Sequence, residues 1–137
     1  MPSHRILIVE DFEGFRRFIS STLQQKTGFE VIGEALDGLE ALQKVQELQP
    51  DLILLDIGLP NLNGIEVARR VRNVAPDAKI LFVSQESAAD VVSEAFSMGA
   101  QGYVHKVCAQ RDLLCAVETV LAGERFVSSG LVSQHPT

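Results

Sequence analysis

The chain has 137 residues and a mass of 15.0 kDa, room for one hydrophobic core and one domain of ordinary size. Hydrophobic residues make up 46% and charged residues 22%, a globular composition that excludes a mainly disordered, collagen-like or coiled-coil chain. Acidic residues outnumber basic ones by 18 to 12, for a formal charge of -6, so the surface as a whole repels nucleic acid and anionic lipid.

Short apolar runs alternate with longer stretches of helical periodicity, and the alternation repeats about five times, the pattern of a parallel α/β sheet. The first run, residues 6–9, is followed by a helix with Phe15, Phe18, Ile19, Thr22 and Leu23 on one side and Arg16, Arg17 and Gln24 on the other. The second run covers 29–35, and the helix expected over 37–49 has Leu39, Leu42, Val45 and Leu48 as its apolar stripe, with Pro50 ending it. The third run is 52–55. Asn63 is the expected N-cap of the next helix, which carries Ile65, Val67, Ala68 and Val71. After a run at 80–83 comes a helix over about 87–98 with Val91, Val92, Ala95 and Phe96 inward and Gly99 at its C-terminal end. The last run, 102–104, precedes a helix built on Leu113, Leu114, Val117, Val120 and Leu121, with Asp112 placed favourably for the helix dipole. The near-continuous aliphatic runs suit strands covered by helices on both faces.

The sequence divides into one domain over residues 1–125 and, from 126 to 137, the polar start of a linker or tail. Cys108 and Cys115 are too few for a disulfide scaffold or a zinc site. Four consecutive aliphatics near the N-terminus make neither a signal peptide nor a membrane span, so the expected location is the cytoplasm, away from the membrane.

In an open parallel sheet, ligands bind beyond the carboxyl ends of the strands. There the runs are followed by Glu10 and Asp11, by Asp56, by Ser84, and by His105 and Lys106. Any one of these could merely end a strand, but together three carboxylates, a hydroxyl and an amine meet at one edge. Clustered carboxylates call for a cation, and hard oxygen ligands suit Mg2+. An amine and a hydroxyl beside them suit a phosphoryl group, for which Asp56 is the natural nucleophile.

The motifs "LIVED", "PDLILLDIGLPNLNG", "ILFVS" and "GAQGYVHK" jointly resemble those of a bacterial response-regulator receiver domain, over nearly the whole chain. "GAQGY" and the later "VLAGERFVS" are similar to the subgroup joined to LuxR-type helix-turn-helix domains. The resemblance implies a flavodoxin-like, doubly wound, five-stranded parallel sheet in the order 2-1-3-4-5 with five helices. It also implies that Asp56 takes a phosphoryl group from a sensor histidine kinase, and that Glu10, Asp11, Asp56 and the backbone carbonyl of Gly58 hold Mg2+. Ser84 and Lys106 would contact the phosphoryl oxygens, and Ser84 and Tyr103 would form the switch; a plainer account of Tyr103 is a half-buried ring with a wet hydroxyl. Gly58 and Glu86 fall where side chains tune self-dephosphorylation. Gln85 and Val107 depart from the commonest pattern.

The expected function is therefore a phosphorylation-controlled signalling module. It is not an enzyme with an external substrate, its only chemistry being its own phosphorylation and dephosphorylation. Its expected partners are the kinase and, on phosphorylation, a second copy of itself. DNA would be reached only through an output domain, presumed transcriptional by the resemblance, that this chain does not contain; the alternative is a stand-alone receiver acting by protein contact. A phosphatase of the haloacid dehalogenase type would want a second Asp where Gly58 stands, and a dinucleotide-binding module would want a glycine-rich turn where Glu10 and Asp11 stand.

Overall fold

All four residues of strand β3 (Leu52–Leu55) are buried, and they point alternately to opposite faces of the sheet. Leu52 and Leu54 join one apolar cluster and Ile53 and Leu55 the other. The same division holds in β1 (His4–Val9), where Ile6 and Ile8 face one way and Leu7 and Val9 the other. With both faces covered, neither strand has a polar side to alternate with, which is why the sequence runs are continuous.

The computed structural model describes residues 3–128. The remaining elements are α1 (Glu13–Gln24), β2 (Phe29–Ala35), α2 (Gly38–Leu48), α3 (Gly64–Val74), β4 (Lys79–Ser84), α4 (Ala89–Ser97), β5 (Gly102–His105), a turn of 3-10 helix (Lys106–Cys108), α5 (Ala109–Leu121) and β6 (Phe126–Val127). The strands form one sheet in the order β2-β1-β3-β4-β5-β6, with every pair parallel. Helices α1 and α5 cover one face through Ile19, Leu23, Leu113, Val117 and Val120. Helices α2, α3 and α4 cover the other through Val45, Val67, Val71 and Val92.

The sheet order expected for the first five strands holds, with one addition. Phe126 and Val127 pair in parallel with Gly102 and Tyr103, so the sheet has six strands where the sequence analysis expected five. The first three residues of the expected tail, 126–128, thus lie against β5; residues 129–137 are outside the described residues. A second difference concerns α2. Leu39, expected on its inner stripe, is 54% exposed, and the inward positions are Gly38, Ala41 and Val45. Small residues let this helix approach the β3–α3 loop: a Cβ on Gly38 would lie 2.0 Å from the Leu62 carbonyl oxygen.

The order of the strands reverses between β1 and β3, which is where the crossing connections diverge and leave a crevice. Val9 is in register with Leu55, and the Asp56 N–H donates to the Val9 carbonyl at 3.1 Å. Residues 10 and 56 are thereby brought to the same level at the mouth of that crevice.

Candidate functional site

Glu10 follows the last residue of β1 and is almost wholly buried. One carboxylate oxygen, Oε2, accepts the Phe12 N–H at 3.0 Å, and the other, Oε1, faces the Lys106 ammonium at 2.8 Å. Burial pushes the Glu10 carboxyl above its ordinary value; the Lys106 and Phe12 contacts oppose that shift, and the Asp56 charge adds to it. Asp11, the next residue, is exposed.

Asp56 follows β3 in the same way and is buried. Its Oδ1 accepts the N–H of Ile57 at 2.8 Å, while Oδ2 lies 3.4 Å from Lys106 Nζ. Behind it the chain turns tightly, and Gly64 makes the turn possible. A Cβ on Gly64 would stand 2.0 Å from the Asp56 carbonyl oxygen, and the Gly64 N–H donates to the Ile57 carbonyl at 2.8 Å. Asn63 caps α3 as expected, its side chain accepting from the Glu66 N–H at 3.0 Å.

Lys106 reaches the two acids from the end of β5. Its ammonium also lies 4.6 Å from the centroid of the Phe15 ring, a cation–π contact that fixes the stem. The sequence marked Phe15 only as part of a core stripe, and nothing in its spacing signals this second contact.

Ligand atoms of Glu10, Asp11 and Asp56 all lie within 4.8 Å of one another. The structure therefore brings together the three carboxylates that the sequence placed after β1 and β3. Together with Gly58, Ser84 and Lys106 they line an open cleft of about 700 Å³. Three hard, anionic oxygen donors at that spacing fit a divalent cation such as Mg2+, whose charge would offset their mutual repulsion.

Ser84 ends β4 with its side chain buried. Its hydroxyl accepts the Glu86 N–H at 3.1 Å. Tyr103, on the neighbouring strand, is fully buried, packs near the Phe82 ring at 6.0 Å between centroids, and donates its hydroxyl to the Glu86 carbonyl at 2.9 Å. The half-buried ring with a wet hydroxyl is therefore not what the fold contains. Burial pushes the Tyr103 phenol up to about 12, with the Ser84 contact opposing and the Glu86 and Asp56 charges reinforcing the shift.

An acidic crevice at the β1/β3 reversal, with one lysine reaching into it, narrows the choice among parallel α/β folds, and comparison decides it. The response regulator receiver domain family matches residues 6–118. The chain belongs to that family. This receiver is 32% identical over 130 residues to the response regulator GacA of Pseudomonas viridiflava, covering 95% of this chain and 61% of that protein. It is 38% identical over 102 residues to the chemotaxis protein CheY of Thermotoga maritima, covering 74% of this chain and 84% of CheY. Among solved structures, a LuxR-family two-component response regulator from Aurantimonas sp. SI85-9A1 superposes with a TM-score of 0.92 at 32% identity, over 96% of this chain and 94% of that one. The chain spans about three-fifths of the length of GacA-type relatives. It fits the receiver part of LuxR-type regulators, as "GAQGY" and "VLAGERFVS" suggested. Among the described residues no helix is long and apolar enough to cross a membrane.

Proposed function

We propose that this receiver accepts a phosphoryl group on Asp56 from a phosphohistidine of a sensor kinase, and that the acyl phosphate changes the packing around Ser84 and Tyr103. The observation that carries this is the position of the Asp56 carboxylate, within 4.8 Å of the Glu10 and Asp11 ligand atoms and 3.4 Å from Lys106 Nζ. In the transfer, a bond forms between an Asp56 carboxylate oxygen and phosphorus as the donor's N–P bond breaks and its electron pair returns to nitrogen; the imidazole, protonated on its other nitrogen in the donor, leaves as the neutral ring.

Glu10, Asp11, Asp56 and the Gly58 carbonyl would hold Mg2+, which neutralises charge on the transferring group. Lys106 supplies a fixed positive charge beside the same oxygens and holds Glu10 in place. Ser84 uses a lone pair to accept from Glu86, so its own proton, which faces the Tyr103 oxygen, can turn to a phosphoryl oxygen. Redirecting that hydroxyl disturbs the Glu86 segment, and Glu86 holds Tyr103, so phosphorylation biases one of two packings.

The chemistry ends with the protein's own phosphorylation and dephosphorylation. The surface changed at α4 and β5 would then act on a second copy or an output domain; LuxR-type relatives favour transcriptional output in the cytoplasm, with DNA contacted outside this chain. Treatment with phosphoramidate and Mg2+, followed by borohydride reduction and peptide mapping, is expected to convert residue 56 to homoserine; conversion at another carboxylate, or none, overturns the proposal.

A further inference from the structure

Two buried polar groups lie outside the cleft and take no part in the transfer proposed above. Asp112, in the first turn of α5, is 8% exposed, and Ser128, just past β6, is fully buried. Arg111 grips the Asp112 carboxylate with two bonds, Nε to Oδ1 at 2.7 Å and Nη2 to Oδ2 at 3.1 Å. This contact, opposed by burial and helped by Ser128, holds the Asp112 carboxyl below the ordinary carboxylate range. The Ser128 hydroxyl donates to Asp112 Oδ2 at 3.1 Å and accepts the His105 N–H at 3.0 Å.

The direction of this chain is fixed by its chemistry. A hydroxyl has one proton, and a carboxylate can only accept, so Ser128 must give its proton to Asp112 and take the His105 N–H on a lone pair. Donation to an anion makes the same oxygen a better acceptor, which tightens the second bond. Strand β6 ends at Val127, so the His105 amide meets a side-chain oxygen where a longer strand would offer a carbonyl. The Ser128 N–H meanwhile donates to the Tyr103 carbonyl at 3.0 Å. One residue thus clamps β5 at both Tyr103 and His105, and His105 immediately precedes Lys106. A plain strand-edge cap would need only the backbone bond; here a carboxylate held ionised by Arg111 stands behind the hydroxyl and fixes its direction.

We infer that Ser128 and Asp112 are positioning residues for Lys106, and that through them the phosphoryl site is coupled to strand β6 and to Ser128 at its end. The inference rests on the proposed phosphorylation of Asp56. Coupling is reciprocal: if the tie helps Lys106 meet a phosphoryl group, then filling the site must tighten the tie.

The test uses the full chain and beryllofluoride with Mg2+ as the phosphoryl mimic. S128A is expected to take up phosphate from acetyl phosphate about tenfold more slowly, the usual scale for losing a group that orients a site residue. Its beryllofluoride affinity should fall in step while its Mg2+ affinity, set by the carboxylates, stays at the wild-type value; S128T, which keeps the hydroxyl, should recover most of the rate. In the wild-type protein, whatever the variants do to folding, amide hydrogen exchange at His105 and Ser128 should slow when beryllofluoride binds. A wild-type protein that is phosphorylated while S128A matches its rate, or while the His105 amide exchanges no more slowly with the mimic bound, overturns the inference alone. A wild-type protein that takes neither phosphate nor beryllofluoride overturns it together with the proposed function.

Discussion

Ser84 and Tyr103 hold the same residue from its two ends: the Glu86 N–H donates to the Ser84 hydroxyl at 3.1 Å, and the Glu86 carbonyl accepts the Tyr103 hydroxyl at 2.9 Å. A change at the buried serine is therefore delivered to the buried ring through one peptide segment. The chain has a single tyrosine and no tryptophan, so the tyrosinate band in its near-ultraviolet absorbance reports this residue alone. With the phenol raised to about 12 by burial, the folded protein should show little tyrosinate near pH 10, where an unburied tyrosine is half ionised. The protonated phenol is favoured by folding, so its contribution is intact below pH 10 and is lost as pH rises from there toward about 12. Half-ionisation near pH 10 with circular dichroism still native would contradict this. Tyr103→Phe should cost about 1 kcal/mol, the usual net value of a hydrogen bond, in urea unfolding.

Glu10 gives a pH dependence of the same sense in the acid range. The folded protein binds its carboxyl proton more tightly than the unfolded chain does, because burial raises the value. Folding is then penalised as pH rises from the ordinary 4.5 through the raised value, and the penalty is complete above it. Glu10→Gln does not titrate. In EDTA, the stability of Glu10→Gln relative to wild type should therefore increase as pH rises through that window, as urea unfolding at a series of pH values would measure. Asp112 and Glu66, whose carboxyls are held low, lose their contributions as pH falls, but they do so in both proteins and cancel in the difference. A flat difference would contradict the account of Glu10.

Three carboxylates within 4.8 Å predict that Mg2+ stabilises the folded chain by mass action. At a free concentration of 100 times Kd the gain is about 2.7 kcal/mol, readable as a shift of the urea midpoint. Asp11→Asn, an exposed change, should leave the metal-free stability close to wild type and remove most of the gain. An equal gain in Asp11→Asn would rule out the three-carboxylate site.

The loop behind Asp56 predicts opposite outcomes for two glycines six residues apart. A Cβ on Gly64 would meet the Asp56 carbonyl oxygen at 2.0 Å, whereas one on Gly58 has nothing within 4 Å. Gly64→Ala should cost about 1–3 kcal/mol or more and slow phosphorylation by displacing Asp56. Gly58→Ala should stay within about 0.5 kcal/mol of wild type. Thermal or urea unfolding of the two variants checks the contrast, which reversal or equality would refute.

The first five strands of the parallel sheet and its five helices were legible in the sequence because runs such as Ile6 to Val9 and Leu52 to Leu55 are apolar on both faces, a pattern that a covered strand requires. The carboxylate cluster was legible because its members each follow such a run, so locating the strands located the acids. What was not legible depends on tertiary partners. Phe126 and Val127 are too few to display a period, and they become a strand only because the edge of β5 lies open beside them. Leu39 is apolar yet exposed because Gly38 and Ala41, with little side chain to signal burial, are the residues that approach the fold. Asp112 was read as a charge suited to a helix start, and its bond to Ser128 spans most of α5, the turn after it and β6, a path the local pattern does not specify.

The central claim is that Asp56 is the phosphoacceptor, and intact-mass spectrometry of the full chain after acetyl phosphate and Mg2+ tests it most directly. The wild-type protein should gain the mass of one phosphoryl group, and Asp56→Asn should gain none. An unmodified wild-type protein, or full modification of Asp56→Asn, would contradict the account.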